Sequence, residues 1–368
     1  MTPPSGRRRE RDGDDMDSQA RQFLFTLLNT PTPSGYEQPG QAVVEKYLKP
    51  HADAVRRDVH GNLHAVLNPG GEFRVMLSGH CDELGLMVMH IDDKGFLYVS
   101  SVGGVYVPLL QGERIVVHTA KGPVPGVIGV KPVHLMETKE REAAVSKIQE
   151  LWVDIGAADK AEAEELVELG DVATIDRAPL EMPNQRLTAR GLDDRIGVYV
   201  VAEAFRQAAR EKPAVAIHMV SSVQEEIGLR GARTAAFGID PHIGVAVDVG
   251  FATDFPKCDP KLVGEATLGG GPILHRGPNF NPAVHERLCR TAKEARIKVQ
   301  QQPIQRASGT DANAIQLNRA GAAAALISIP CRYMHSAAEM ISLKDADNAA
   351  RLLAKFLLRL KGGERLIP

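Results

Sequence analysis

Several common functional signatures are missing from this sequence. Cysteine is sparse: Cys81, Cys258, Cys289 and Cys331 are scattered with no CxxC pair. That suits reduced thiols in a cytosolic protein better than a disulfide framework. No stretch approaches the ~18–20 apolar residues of a membrane span, so no membrane association is expected. Charge of one sign is not in excess, since the formal net charge is −2. No global field therefore favours nucleic acid or an anionic lipid surface. The Arg-, Asp-, Pro- and Gly-rich stretch from Met1 to Asp17 lacks the apolar core of a signal peptide and reads as a disordered tail. Met16 is an alternative start, because helical patterning begins just after it. No Gly-x-Ser-x-Gly elbow is present, which argues against a serine hydrolase. The glycine run Leu268 to Pro272 lacks dinucleotide-binding spacing, and no internal repeat is visible.

What is present is ordinary soluble-enzyme material: 368 residues, 43% apolar and 24% charged. At roughly 150 residues per domain, about two domains are expected. Helices are expected over Gln19–Asn29 and Glu37–Tyr47. Apolar strands follow at Phe73–Ser78, Val215–Val223, Ile243–Val247 and Ala323–Ile329. Helical patterns accompany them at Ile196–Arg210, Pro282–Ala295 and Ala312–Ala320. This alternation predicts an α/β domain with a mostly parallel sheet, built from 18–85 and 191–368. Residues 86–190 have a different texture, with short β-like runs (Gly95–Ser100, Arg114–His118, Gly126–Val130, Leu151–Ile155, Asp171–Ile175) broken by Gly and Pro. A small inserted barrel-like domain fits. It carries no candidate ligand, and its exposed strand edges need covering, so the expected role is dimerisation. A lid within one subunit is the alternative.

Ligands in parallel α/β sheets bind beyond the carboxyl ends of strands, and four strands here deliver His, Asp or Glu at that end. His80, Asp193, Glu226, Asp248 and His335 form a set of two imidazoles and three carboxylates without a thiolate. Such N/O donors suit catalytic Zn, Co or Mn. The three carboxylates carry −3, two divalent cations +4, and a hydroxide brings the balance to zero, so two cations are favoured over one. Asp193 is the candidate bridge between them. At Glu225-Glu226 one carboxylate can ligate while its neighbour serves as general base. Asp82 can accept the other ring N–H of His80 and fix its tautomer.

Each residue also has an ordinary reading. Asp193-Asp194-Arg195 could be a plain helix N-terminus, Glu225-Glu226 a solvated pair, Asp248 a turn residue or cap, and His335 a loop residue. The specificity lies in the joint occurrence. Cys81 and Cys331 neighbour ligand candidates but are needed for neither charge nor count.

Ser78-Gly-His-Cys-Asp-Glu-Leu-Gly85, Gly191-Leu-Asp-Asp-Arg-Ile-Gly197, Val223-Gln-Glu-Glu-Ile-Gly-Leu-Arg-Gly-Ala232, Gly309-Thr-Asp-Ala312 and Ile329-Pro-Cys-Arg-Tyr-Met-His-Ser336 resemble, in order, the motifs of the glutamyl and tetrahedral (TET) aminopeptidases. Some members of that family carry an endoglucanase label. The resemblance spans about Pro31 to Leu358. It implies a zinc-peptidase-like catalytic domain, with His80, Asp193 and Asp248 on one cation and Asp193, Glu226 and His335 on the other. It further implies Glu225 as general base, Asp82 as support for His80 and a cis peptide between Asp193 and Asp194. The inserted domain is implied to build a homodimer, and dimers often a hollow dodecamer.

The expected activity is therefore removal of N-terminal residues from peptides by two-metal hydrolysis. Two alternatives stand beside it. A carboxypeptidase or deacylase could use a similar site, with Arg332 holding a substrate carboxylate. A metal-independent endoglucanase would need only two carboxylates flanking a sugar bond.

Overall fold

A computed structural model describes residues 16–138 and 147–368. Most of the expected tail, residues 1–15, lies outside these. Asp17 accepts hydrogen bonds from the N–H groups of Gln19 and Ala20 and so caps the helix Ser18–Asn29.

The main body is an eight-stranded sheet with helices on both faces. In spatial order its strands are Ala54–Arg57, Leu63–Leu67, Ala216–Ser222, Arg74–His80, Ile243–Phe251, Ala323–Cys331, Ile273–Arg276 and Gln300–Pro303. The central four run parallel. They are the four strands the apolar runs predicted, and burial on both faces explains why those runs are nearly continuous rather than alternating. The outer strands did not stand out. Leu63–Leu67 and Ile273–Arg276 pair antiparallel to the central group.

Helix Leu192–Ala208 is buried almost throughout. It packs between the sheet and the helices Ser18–Asn29 and Leu343–Arg359. Across the sheet, Arg230–Ile239 and Asp311–Gln316 share a smaller core with Met76 and Val220. The latter helix stops at Gln316, short of the expected Ala320; Arg319 and Gly321 both take positive φ there.

Between the strand Arg74–His80 and helix Leu192–Ala208 the chain forms a closed six-stranded barrel. Its strands are Gly85–Ile91, Leu97–Val102, Val153–Asp154, Gly122–Ile128, Arg114–Thr119 and Val172–Ile175. Leu86, Val88, Leu97, Ile115, Val117 and Val153 fill it as a core separate from that of the sheet. The expectation of exposed edges is corrected here. The ladder closes on itself, so no edge needs a partner subunit to cover it. Beyond the barrel, Arg186–Ala189 pairs with Leu180–Met182 and with Glu339–Ser342. This small sheet ties the returning chain to the segment after His335.

Candidate metal centre

Strand ends gather the predicted residues. His80 closes the strand Arg74–His80, Glu225 and Glu226 follow Ala216–Ser222, Asp248 lies in Ile243–Phe251, and His335 follows Ala323–Cys331. Asp193 sits in the first turn of helix Leu192–Ala208, in a stretch where Asp193 and Asp194 depart from helical backbone angles. Their peptide is cis. Two glycines let that turn meet the strand. A Cβ on Gly79 would lie 2.6 Å from the carbonyl carbon of Gly197, and one on Gly197 would lie 2.2 Å from Asp194 Oδ2.

The two imidazoles face opposite oxygens of one carboxylate. His80 Nε2 is 3.2 Å from Asp193 Oδ1, and His335 Nε2 is 3.4 Å from Asp193 Oδ2. His80 Nε2 is also 3.7 Å from Glu225 Oε2, and His335 Nε2 is 3.8 Å from Glu226 Oε2. Donor atoms of His80, Asp193 and Glu226 lie within 4.8 Å of one another, as do those of His80, Asp194 and Asp248. The second trio holds Asp194 where the resemblance implied Asp193. Both oxygens of Asp194 already accept hydrogen bonds, from the N–H groups of His80 and Gly197. Those bonds turn it toward the backbone.

The charge state tests whether cations fit. Burial pushes up the pKa of Asp248 and Asp194, and neighbouring carboxylates add to the effect. Glu225 is pushed to about 10 and Glu226 to about 7, with burial the largest cause in both. Burial acts against charge on His80, yet Glu225, Asp193 and Asp82 hold it well above 6.5. For His335 the hydrogen bond to Asp193 leads, raising it to about 9. Asp193, opposed by burial but bonded to both imidazoles, is held below its usual range. Several carboxylates thus crowd a buried pocket, and divalent cations held there would offset their charge. Glu226 Oε1 is buried with no hydrogen-bond partner, as a free ligand atom would be. The residues fit the group.

Two further carboxylates hold this set in place, each by accepting a pair of backbone N–H groups. Asp82 Oδ1 accepts from Glu225 N at 3.0 Å, and Oδ2 from Glu226 N at 3.1 Å and Ser34 Oγ at 2.7 Å. It also faces His80, the role expected for it. His80 Nδ1 lies 3.1 Å from the main-chain oxygen of Asp82 and 3.5 Å from its carboxylate. The carboxylate chiefly orders the Glu225-Glu226 turn.

Glu339, which sequence reasoning missed, does the same for the other half. Oε2 accepts from Asp193 N at 3.0 Å and Oε1 from His335 N at 2.9 Å. Its place four residues after His335 was the only available signal, and a lone Glu there reads as surface. Glu83, buried, pairs with Arg190 and Arg195. Arg195 also donates to the carbonyls of Leu27, Leu28, Thr30, Arg190 and Gly191. Asp311 accepts from Ser78 Oγ and Ser222 Oγ beneath the site.

The cysteines stay outside the chemistry. Cys81 and Cys331 are buried, and burial pushes the Cys81 thiol to about 12 and Cys331 well above 9. Arg332 is already engaged, with Nε 2.9 Å from Asp254 Oδ1 and a terminal nitrogen 2.7 Å from Oδ2. In front of the centre a cleft of about 570 Å³ is walled by Phe251, Ile304, Arg306, Thr310 and Met334, among others.

The chain is 41% identical to the lysyl aminopeptidase of Pyrococcus furiosus over 92% of its own length and 97% of the relative's. A TET aminopeptidase from the marine sediment archaeon Thaumarchaeota archaeon superposes with a TM-score of 0.88 at 34% identity, covering 94% of this chain and 98% of that one. The TET1 peptidase of Pyrococcus horikoshii, which can assemble into a tetrahedron or a large octahedral shell, gives 0.84 at 31% identity, with 93% and 100% covered. Residues 61–352 match the model of the M42 glutamyl aminopeptidases, and the chain belongs to that family.

Proposed function

We propose that this protein is a metal-dependent aminopeptidase holding two divalent cations per subunit, Zn in the first place with Co or Mn as substitutes. The observation that carries this is the approach of His80 and His335 to opposite oxygens of Asp193. That is the disposition of a carboxylate bridging two ions. His80, Asp193 and Asp248 would hold one cation, and Asp193, Glu226 and His335 the other.

Cations held there would activate water and polarise the scissile carbonyl. Glu225 faces the same space, and its turn is anchored by Asp82. It serves as general base, taking the proton of the attacking water and passing it to the leaving amine. The engagement of Arg332 with Asp254 weighs against the carboxypeptidase reading, which would need that residue for a substrate carboxylate.

Homo-oligomerisation belongs to the same reading. Val127, Val130, Val133 and Leu135 leave apolar side chains exposed on and just beyond the barrel. A face of that kind fits a dimer contact, and such dimers would be the building block of a dodecamer like that of the TET relatives. Residence in the cytoplasm fits four free thiols. No described helix is long and apolar enough to cross a membrane.

The test is a panel of aminoacyl chromogenic substrates beside their N-acetylated forms. Hydrolysis of the free-amine series alone is expected. Equal release of the chromophore from the acetylated series would remove the free-amine requirement and with it the aminopeptidase reading; release of acetate instead would favour a deacylase.

A further inference from the structure

The barrel reaches the metal centre. After the strand Leu97–Val102 the loop through Gly103 and Gly104 extends toward the sheet, and the Gly104 carbonyl lies 3.2 Å from His335 Nδ1. Its neighbour meets a second ligand candidate, since a Cβ on Gly103 would lie 3.2 Å from Glu226 Cβ. One loop of the inserted domain therefore bonds to His335 and passes close to Glu226. His335 needs such a contact. Its side chain is 38% exposed and its backbone takes φ 62°. Glu339 fixes only its main-chain N–H. A carbonyl can only accept, so Nδ1 must donate to it. With Nδ1 so engaged, Nε2 is the nitrogen that faces Asp193 and Glu226 and would offer its lone pair to a cation held there.

We infer that the Gly103–Gly104 loop is a positioning element of the metal centre: it sets the tautomer and direction of His335 and braces Glu226. The barrel thereby tunes how tightly one of the two cations is held. The inference rests on the proposed reading of His335 and Glu226 as ligands.

Gly104 offers a narrow test. Its φ is not positive, so an L-residue is compatible with the backbone. Among the described residues, an added Cβ would meet His335 Nδ1 at 3.1 Å and Cε1 at 3.2 Å and no other atom within 4 Å beyond its chain neighbours. In the full-length protein, Gly104→Ala and Gly104→Val should leave the unfolding temperature of the metal-free protein unchanged. Competition against a chelator should show one Zn of two weakened, by about 10–100-fold as for other partners of ligating imidazoles and more for Val than for Ala. The ring nitrogen resonances of His335 should shift, and saturating Zn should restore the rate. His335→Ala should lose that same Zn.

Wild-type affinity for both ions in Gly104→Val, with the ring signals unmoved, would overturn the inference. So would a lower unfolding temperature with both affinities intact, which would reduce the loop to packing. Retention of two ions by His335→Ala would instead overturn the ligand assignment on which the inference stands.

Discussion

Asp82→Asn isolates one joint of the site. The wild-type carboxylate is fully buried and meets four donors: Glu225 N–H, Glu226 N–H, Ser34 O–H and, at 3.5 Å, His80 Nδ1. Asparagine keeps the shape but offers one oxygen and one NH2. If the NH2 replaces Oδ2, it faces the Glu226 N–H; if it replaces Oδ1, it faces the Glu225 N–H. Either way one buried backbone donor loses its acceptor and meets another donor. A hydrogen bond to a charged group contributes ~1.5–3 kcal/mol, so unfolding free energy should fall by about 3 kcal/mol, a large share of a typical 5–15 kcal/mol total. Both Glu225 and Glu226 ride on this turn. A displacement near 1 Å at a reacting group costs about 10²-fold in rate, which is the expected fall in kcat on an aminoacyl anilide. Urea unfolding and steady-state kinetics on the same preparation measure both. Stability within ~0.5 kcal/mol of wild type together with kcat within about threefold would refute the reasoning that Asp82 anchors this turn.

Other outcomes follow from the same geometry. Glu225→Gln should retain both cations and lose about 10²–10⁴-fold in kcat; metal depletion in this variant would mean that base and ligand have been assigned the wrong way round. His275 is 5% exposed, and burial lowers its pKa to about 4. Because the folded value lies below the unfolded 6.5, its neutral form contributes stability that is complete above pH 6.5 and lost as pH falls toward 4. The difference amounts to about 3 kcal/mol, so urea midpoints of His275→Asn should vary less than wild type over that window, and parallel curves would contradict this. Val133→Arg with Leu135→Arg places two charges on side chains that are 52% and 68% exposed. Sedimentation should show self-association weakened by about 10²-fold, whereas an unchanged mass would put the interface elsewhere.

What could be read from the sequence followed the physics of each signal. The four central strands announced themselves because burial on both faces demands uninterrupted apolar residues. The flanking strands Ala54–Arg57 and Gln300–Pro303 are half exposed and polar, so no pattern separated them from loops. The clustering of the candidates was legible because His80, Glu225, Glu226, Asp248 and His335 all stand at or near strand ends.

The scaffold behind that set was not legible. Glu339 and Asp311 act through contacts across 146 and 233 residues of chain, with Asp193 N and Ser78 Oγ respectively. A single carboxylate carries no sign of such a partner. Arg195 likewise looked like part of a charged helix start, whereas it is fully buried and donates to five carbonyls around Glu83. The barrel's contact with His335 escaped notice for a related reason, since it is made by the main-chain oxygen of Gly104, and a main-chain acceptor has no sequence signature.

The central claim is that Asp193 joins two cations that the chain needs for peptide hydrolysis. Metal content per chain, measured by elemental analysis through chelation and reconstitution alongside aminoacyl-substrate activity, tests it most directly. Two divalent ions per chain are expected, with activity lost on their removal and regained with Zn, Co or Mn in proportion to occupancy. Full activity in a preparation verified to be metal-free, or saturation at a single ion, would contradict it.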